Sequence, residues 1–134
     1  MKFSYKKQIL EHHLDTFGHV NNAVYLELYE EARWDFVTEA GFGLAQVQET
    51  QIGPVILDLN VTFKAELKNR EQIVIESEFG GMKNSLISTV KQRMVKADGT
   101  MASEISLSIG IFDMKTRKLQ KPSKEWLHAL GSIE

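Results

Sequence analysis

The spacing of apolar residues changes period along the chain, and each change marks an element. Residues 3 to 11 mix aromatic and β-branched residues with lysines, as an edge-type first strand does. His13 then falls at the end of that strand. Residues 12 to 21 carry Asp, Gly and two Asn, a loop composition. From about Ala23 to Ala40 the period becomes helical. Tyr25, Leu28, Tyr29, Ala32 and Phe36 recur at i+3 and i+4, with Glu27, Glu30, Glu31 and Asp35 toward the other side. Asn21 or Asn22 suits the N-cap, and Gly41 and Gly43 supply a stop.

Beyond the glycines the period is two. Val55, Leu57, Leu59, Val61, Phe63 and Ala65 alternate with Ile56, Asp58, Asn60, Thr62 and Lys64, which predicts a long strand with one buried face. Ile73, Ile75 and Phe79 mark the next strand. Residues 85 to 96 form another, alternating more weakly through Leu86, Ser88, Val90 and Met94. Asp98-Gly99 signals a hairpin. The last strand carries Met101, Ile105, Leu107, Ile109 and Ile111 on one face, with Ala102, Glu104, Ser106, Ser108 and Gly110 between them. Pro122 opens a short C-terminal helix that Gly131 could close. The order is strand, helix, four strands, short helix. That order predicts an α+β fold in which an antiparallel sheet of about five strands packs one face on the long helix. A parallel βαβ chain is disfavoured, because turns rather than helices join the later strands.

Composition narrows the function. A chain of 134 residues is one domain's worth, 1–134, and can build a self-sufficient core. The net charge of -2 offers no basic field for a nucleic acid backbone. The absence of cysteine excludes thiol nucleophiles, thiolate metal sites and disulfides. The N-terminus is too polar for a signal peptide, and no apolar run reaches membrane-spanning length. A cytoplasmic enzyme or binding domain, with neither nucleic acid nor membrane as partner, is the expectation.

The chemistry concentrates between His13 and Trp34. Asp15 sits in a turn-forming segment just before the helix, with Gly18, His19, Asn21 and Asn22 crowded around it. A helix start offers free N–H groups to a developing oxyanion, and a carboxylate can attack a carbonyl or activate a water that does. Gly18 permits close backbone approach. His12, His13 and His19 lack the spacing of a metal site, so no metal is expected. Tyr25 and Tyr29 lie on the core stripe. Lys83 and Ser85, in Gly80-Gly81-Met82-Lys83-Asn84-Ser85, read as a solvated hairpin or as a cationic lip for a phosphorylated substrate tail. There is no phosphate-binding glycine loop and no Gly-x-Ser-x-Gly elbow, which leaves a carboxylate mechanism as the leading enzymatic option.

The segment Leu14-Asp15-Thr16-Phe17-Gly18-His19-Val20-Asn21-Asn22-Ala23-Val24-Tyr25 resembles the active-site signature of hotdog-fold acyl-CoA thioesterases, the relatives of 4-hydroxybenzoyl-CoA thioesterase. The continuation through Asp35 resembles the bacterial long-chain acyl-CoA thioesterase III subgroup. Leu14 departs from the Thr or Tyr of many relatives. The resemblance implies a hotdog fold, a curved antiparallel sheet wrapped around the long helix. It implies hydrolysis of acyl-CoA to a carboxylic acid and coenzyme A without a cofactor. It implies Asp15 as nucleophile or general base and a backbone N–H near Asn22 as oxyanion donor. Gly18, His19, Asn21 and Tyr25 match signature positions as substrate-side scaffolding, and Lys83 and Ser85 are candidates for the CoA tail. It also implies homodimers, or homotetramers built from them, with sheets joined edge to edge and sites at the subunit interface. The alternative is a catalytically silent acyl-CoA-binding hotdog domain. Dehydratase signatures differ in spacing, and an acyl-CoA-sensing regulator would need a DNA-binding segment.

Overall fold

A computed structural model describes residues 1–133. Strand β1 (Lys2–Gln8) leads through a 3-10 turn (Glu11–His13) and the loop at residues 14–21 into helix α1 (Asn22–Glu39). Helix α2 (Leu44–Thr50) follows. Then come β2 (Ile52–Phe63), β3 (Gln72–Met82), β4 (Ile87–Lys96), β5 (Met101–Asp113), β6 (Lys118–Gln120) and α3 (Lys124–Ala129). The sheet is antiparallel in the order β1-β3-β4-β5-β2, with β6 paired to β5. This is the α+β hotdog arrangement: a long antiparallel sheet with α1 on its inner face.

Local chemistry explains α1. The Asn21 side chain accepts from Ala23 N at 2.9 Å and caps the helix. Tyr25, Leu28, Tyr29, Ala32 and Phe36 are all buried, as their spacing predicts. They meet Ile75, Val90, Met94, Ile105, Leu107 and Ile109 from the sheet in one cluster. Gly99, at φ 89°, makes the β4–β5 hairpin. Ser123 caps α3 by accepting from Trp126 N at 3.0 Å.

Several expectations give way. The first strand ends at Gln8, and His13 lies on the 3-10 turn rather than at the strand end. There its Nδ1 accepts from Leu10 N at 2.8 Å, and burial pushes the imidazole pKa down. A neutral, internally bonded His13 holds the turn. Helix α2 is not legible in the period, because Val47 is its one buried residue; it packs with Ile111 and Trp126. Strand β6 adds a sixth strand. The buried face expected of β2 is absent over residues 56–60, all of which are exposed. Two causes combine: β2 is the sheet edge, and its register against β5 shifts between Ile56 and Asp58. Beyond that bulge the alternation inverts, so Ile56 shares a face with Leu59 and Val61. On β5 the small residues Ser108 and Gly110 are buried as well: Leu119 and Leu57 cover Gly110 on the outer side, and Ser108 Oγ donates to Asp58 Oδ1 at 2.9 Å.

No helix among the described residues is long and apolar enough to cross a membrane.

Candidate active site

The loop between the 3-10 turn and α1 closes on the Asp15 carboxylate. Its Oδ1 accepts from Phe17 N at 2.9 Å and from His19 N at 3.0 Å. Asp15 N donates to His19 O at 2.8 Å, and Gly18 N donates to Asp15 O at 3.0 Å. A bridge between Leu14 and Val20 fastens the base of the loop. Gly18 stands at φ +79°, with open space where a Cβ would be, so the glycine is required by conformation rather than by crowding. Oδ1 is thereby occupied, while Oδ2 has no partner among the described residues. Asp15 itself is exposed, and Phe17 at the loop tip is 84% exposed.

The start of α1 supplies the complementary half. Ala23 N is held by the side-chain oxygens of Asn21 (2.9 Å) and Asn22 (3.0 Å), and Val24 N by Asn21 O (3.0 Å). That leaves Asn22 N–H as the unpaired donor of the first turn among the described residues. Both the free N–H and the positive end of the helix favour a negative oxygen there.

Asn22 lines an open cleft of about 420 Å³, together with His19, Tyr25, Phe63, Lys64 and Glu66. The Tyr25 and Phe63 rings meet edge to face with centroids 5.0 Å apart. Burial pushes the Tyr25 phenol pKa up, against a smaller opposing effect of the Leu67 backbone, so Tyr25 is a protonated wall. His19 Nε2 and Glu66 Oε1 lie 2.7 Å apart and tie the loop to the chain leaving β2.

A carboxylate with one free oxygen, a free N–H at a helix start and an open cleft is the equipment of acyl transfer without metal. Among the described residues no cluster of His, Asp and Glu could hold a metal ion. Comparison with known proteins agrees with the acyl-transfer reading. The model of the thioesterase-like superfamily matches residues 10–130. The chain belongs to that superfamily. The long-chain acyl-CoA thioesterase FadM of Escherichia coli is 28% identical to this chain over 109 residues, 80% of each chain. A Staphylococcus aureus protein solved in complex with CoA superposes with a TM-score of 0.87 at 16% identity, over 96% of this chain and 81% of that one. A 1,4-dihydroxy-2-naphthoyl-CoA thioesterase from Synechocystis gives a TM-score of 0.86 at 13% identity, over 97% and 96% of the two chains. At those identities the superpositions establish the fold.

Within this thioesterase-like fold, His19, Asn22 and Tyr25 line the cleft, Asn21 caps the helix that carries Asn22 and Tyr25, and Asp15 is joined to His19 and Gly18 by the hydrogen bonds of the loop. Lys83 and Ser85 do not join them within the chain. Their hairpin follows Met82, whose β4 partner is Ser88 beside Ile109, whereas Phe63 pairs with Ser103 beside Met94. Six residues of strand separate those rows, roughly 20 Å at about 3.3 Å per residue. Asn84 Oδ1 accepts from Leu86 N and Ile87 N, both at 2.9 Å, and forms the turn. Lys83 Nζ lies 3.7 Å from Asp58 Oδ2 in an exposed pair. Ser85 is exposed on the same turn. Sequence reasoning missed Glu66 and Phe63 as cleft residues, since only the tertiary fold carries the end of β2 to the Asp15 loop.

Proposed function

We propose that the chain is an acyl-CoA thioesterase in which Asp15 activates a water and Asn22 N–H receives the carbonyl oxygen. The observation that carries this reading is the pairing of an unpartnered helix-start N–H with a carboxylate clamped through only one of its oxygens. Asp15 Oδ2 takes a proton from water as the water oxygen bonds to the thioester carbon. The carbonyl oxygen becomes an oxyanion facing Asn22 N–H, where the helix terminus stabilises it. Collapse breaks the C–S bond, and the proton on Asp15 passes to the departing thiolate. The products are a carboxylic acid and coenzyme A. The water route is favoured over direct attack because two N–H groups already occupy Oδ1 and the cleft is open to solvent.

The acyl group has an apolar path. Leu26 lies one turn beyond Asn22 on α1, and Phe63, Leu59 and Ile56 follow on β2, each 41–47% exposed. Exposed apolar residues on an unpaired sheet edge also favour a homodimer in which the β2 strands pair antiparallel across a two-fold axis. Such pairing sets the Ile52 end of one strand beside the Phe63 end of the other. The partner's Lys83–Ser85 hairpin then approaches the cleft as a cationic lip for the CoA phosphates.

Release of free thiol from acyl-CoA, followed with Ellman's reagent, tests the activity. Hydrolysis in oxygen-labelled water tests the route: one labelled oxygen is expected in the acid and none in Asp15. Labelled Asp15 would establish direct attack. Tight acyl-CoA binding without thiol release would leave the silent binding domain as the correct reading.

A further inference from the structure

Arg33 is a cation with no anion bonded to it. It leaves the inner side of α1, and its Nη1 donates to Gln92 Oε1 at 2.9 Å. Gln92 is fixed in turn, since its Nε2 donates to Tyr29 O at 3.1 Å and to Ser77 Oγ at 3.0 Å. No carboxylate forms an ion pair with Arg33 among the described residues, and that single bond uses one of five guanidinium donors. Burial pushes the guanidinium pKa below its ordinary value, and the Glu30 charge offsets this in part. A largely buried cation with unused donors is costly unless a polar group meets it.

The space beside it is a cavity of about 80 Å³ between α1 and the near end of β2, lined among others by Glu30, Arg33, Trp34, Pro54, Ile56 and Ile109. The cavity is apolar on the sheet side and carries opposite charges on the helix side. Glu30 Oε2 accepts from Trp34 Nε1 at 3.2 Å, which orients the carboxylate and leaves its other oxygen free. Helix α1 and β2 run antiparallel here, since Tyr25 meets Phe63 at one end and Trp34 shares the cavity with Pro54 and Ile56 at the other, so this cavity lies further along the same helix–strand seam as the Asn22 cleft. From Asn22 to Trp34 the helix rises roughly 18 Å at 1.5 Å per residue, about the length of an extended long-chain acyl group.

A cation and an anion lining one small cavity leave it without net charge. The group that satisfies both is neutral, accepts from Arg33 and donates to Glu30. A hydroxyl does this; a methyl satisfies neither, and a carboxylate is opposed by Glu30. We infer that this cavity receives the distal part of the acyl chain and selects acyl groups that carry a hydroxyl there. The inference rests on the acyl-CoA reading for its reaction, but the cavity's preference can be measured without catalysis.

Binding of free ω-hydroxyhexadecanoate and hexadecanoate to the whole protein is followed by fluorescence of Trp34, which lines the cavity. The hydroxy acid is expected to bind roughly 10-fold tighter or more, because a site built to hydrogen-bond a hydroxyl leaves its own polar groups unpaired against the plain chain. Arg33→Met should bring the two affinities together. The same ratio is then measured as kcat/KM on the two CoA thioesters. Equal binding of both acids by the unmodified protein, which requires no variant to fold, overturns the inference. So does tighter binding of the α,ω-dicarboxylate, which would make this an anion site. A preference that survives in folded Arg33→Met would reduce Arg33 to a partner of Gln92. A preference in binding with no hydrolysis of either thioester would sink the enzymatic reading and leave the cavity's selectivity standing.

Discussion

His19 Nε2 and Glu66 Oε1 meet at 2.7 Å and join the Asp15 loop to the segment that leaves β2. Their side chains are 60% and 56% exposed, so the pair adds little stability. Its consequence is positional. His19 N is one of the two donors on Asp15 Oδ1, and fixing His19 therefore fixes the carboxylate proposed to face the carbonyl. Glu66→Ala is expected to lower kcat by a factor of a few, with the thermal midpoint unchanged. Glu66→Gln, which can still accept from His19, should recover most of that loss. Steady-state kinetics on the three proteins measures this. A loss in Glu66→Gln as deep as that in an Asp15 variant would make Glu66 a reacting group.

Asp15→Asn keeps an oxygen able to accept from Phe17 N and His19 N, so the loop should close as before. It removes the proposed base. A fall in kcat of roughly 10²-fold or more is expected, in the range for loss of a general base. Acyl-CoA binding, measured by calorimetry, and the melting temperature should change little. If activity and fold were lost together, Asp15 would be a turn former and nothing more.

The helix half of this site was legible because its determinants are local. The Tyr25-to-Phe36 stripe, the Asn21 cap and the glycine at position 18 each act within a few residues. The rest depends on distant pairing. Glu66 joins the site only because β2 ends beside the loop, and no spacing in the chain announces that. The alternation through β2 suggested a buried face, yet the bulge at Leu57 and the edge position expose it. Lys83 is a candidate by charge, but its distance from Asp15 within the chain follows from register, which the sequence pattern leaves unstated.

Strand β1 is pinned to α1 by one carboxylate. Glu31 Oε2 accepts from Tyr5 Oη at 2.6 Å and from Lys7 Nζ at 2.7 Å. The hydrogen bond to Glu31 is the main cause that pushes the Tyr5 phenol up to about 12, with burial adding to it. For Glu31, burial raises the pKa, but the bonds from Lys7 and Tyr5 together outweigh it and hold the carboxyl below its ordinary value. A carboxyl whose folded pKa is depressed stabilises the fold above its unfolded pKa and loses that contribution as pH falls through the folded one. Melting temperature is therefore expected to drop as pH falls below the ordinary carboxylate range. Glu31→Gln should show a shallower drop over that window and a lower plateau near neutrality. Parallel curves for the two proteins would remove Glu31 from the acid response.

The last prediction concerns a site shared between two chains. Lys83 is far from Asp15 within one chain, and its pairing with Asp58 at 3.7 Å is exposed and weak, so its ammonium is free to meet phosphate. If β2 edges pair antiparallel, the hairpin of one protomer serves the cleft of the other. Lys83→Ala should then raise KM for acyl-CoA more than it lowers kcat, because phosphate contacts hold ground and transition states alike. The effect should shrink as salt rises. Leu57, 44% exposed in the bulge of β2, tests the route. Leu57→Lys sets like charges near each other across the two-fold axis and should yield a species near the 15.3 kDa chain mass by light scattering. In that monomer, Lys83→Ala should no longer change KM, so the two substitutions are strongly non-additive. Full additivity, with Lys83→Ala raising KM equally in dimer and monomer, would mean the lysine acts within its own chain and would dismiss the shared site.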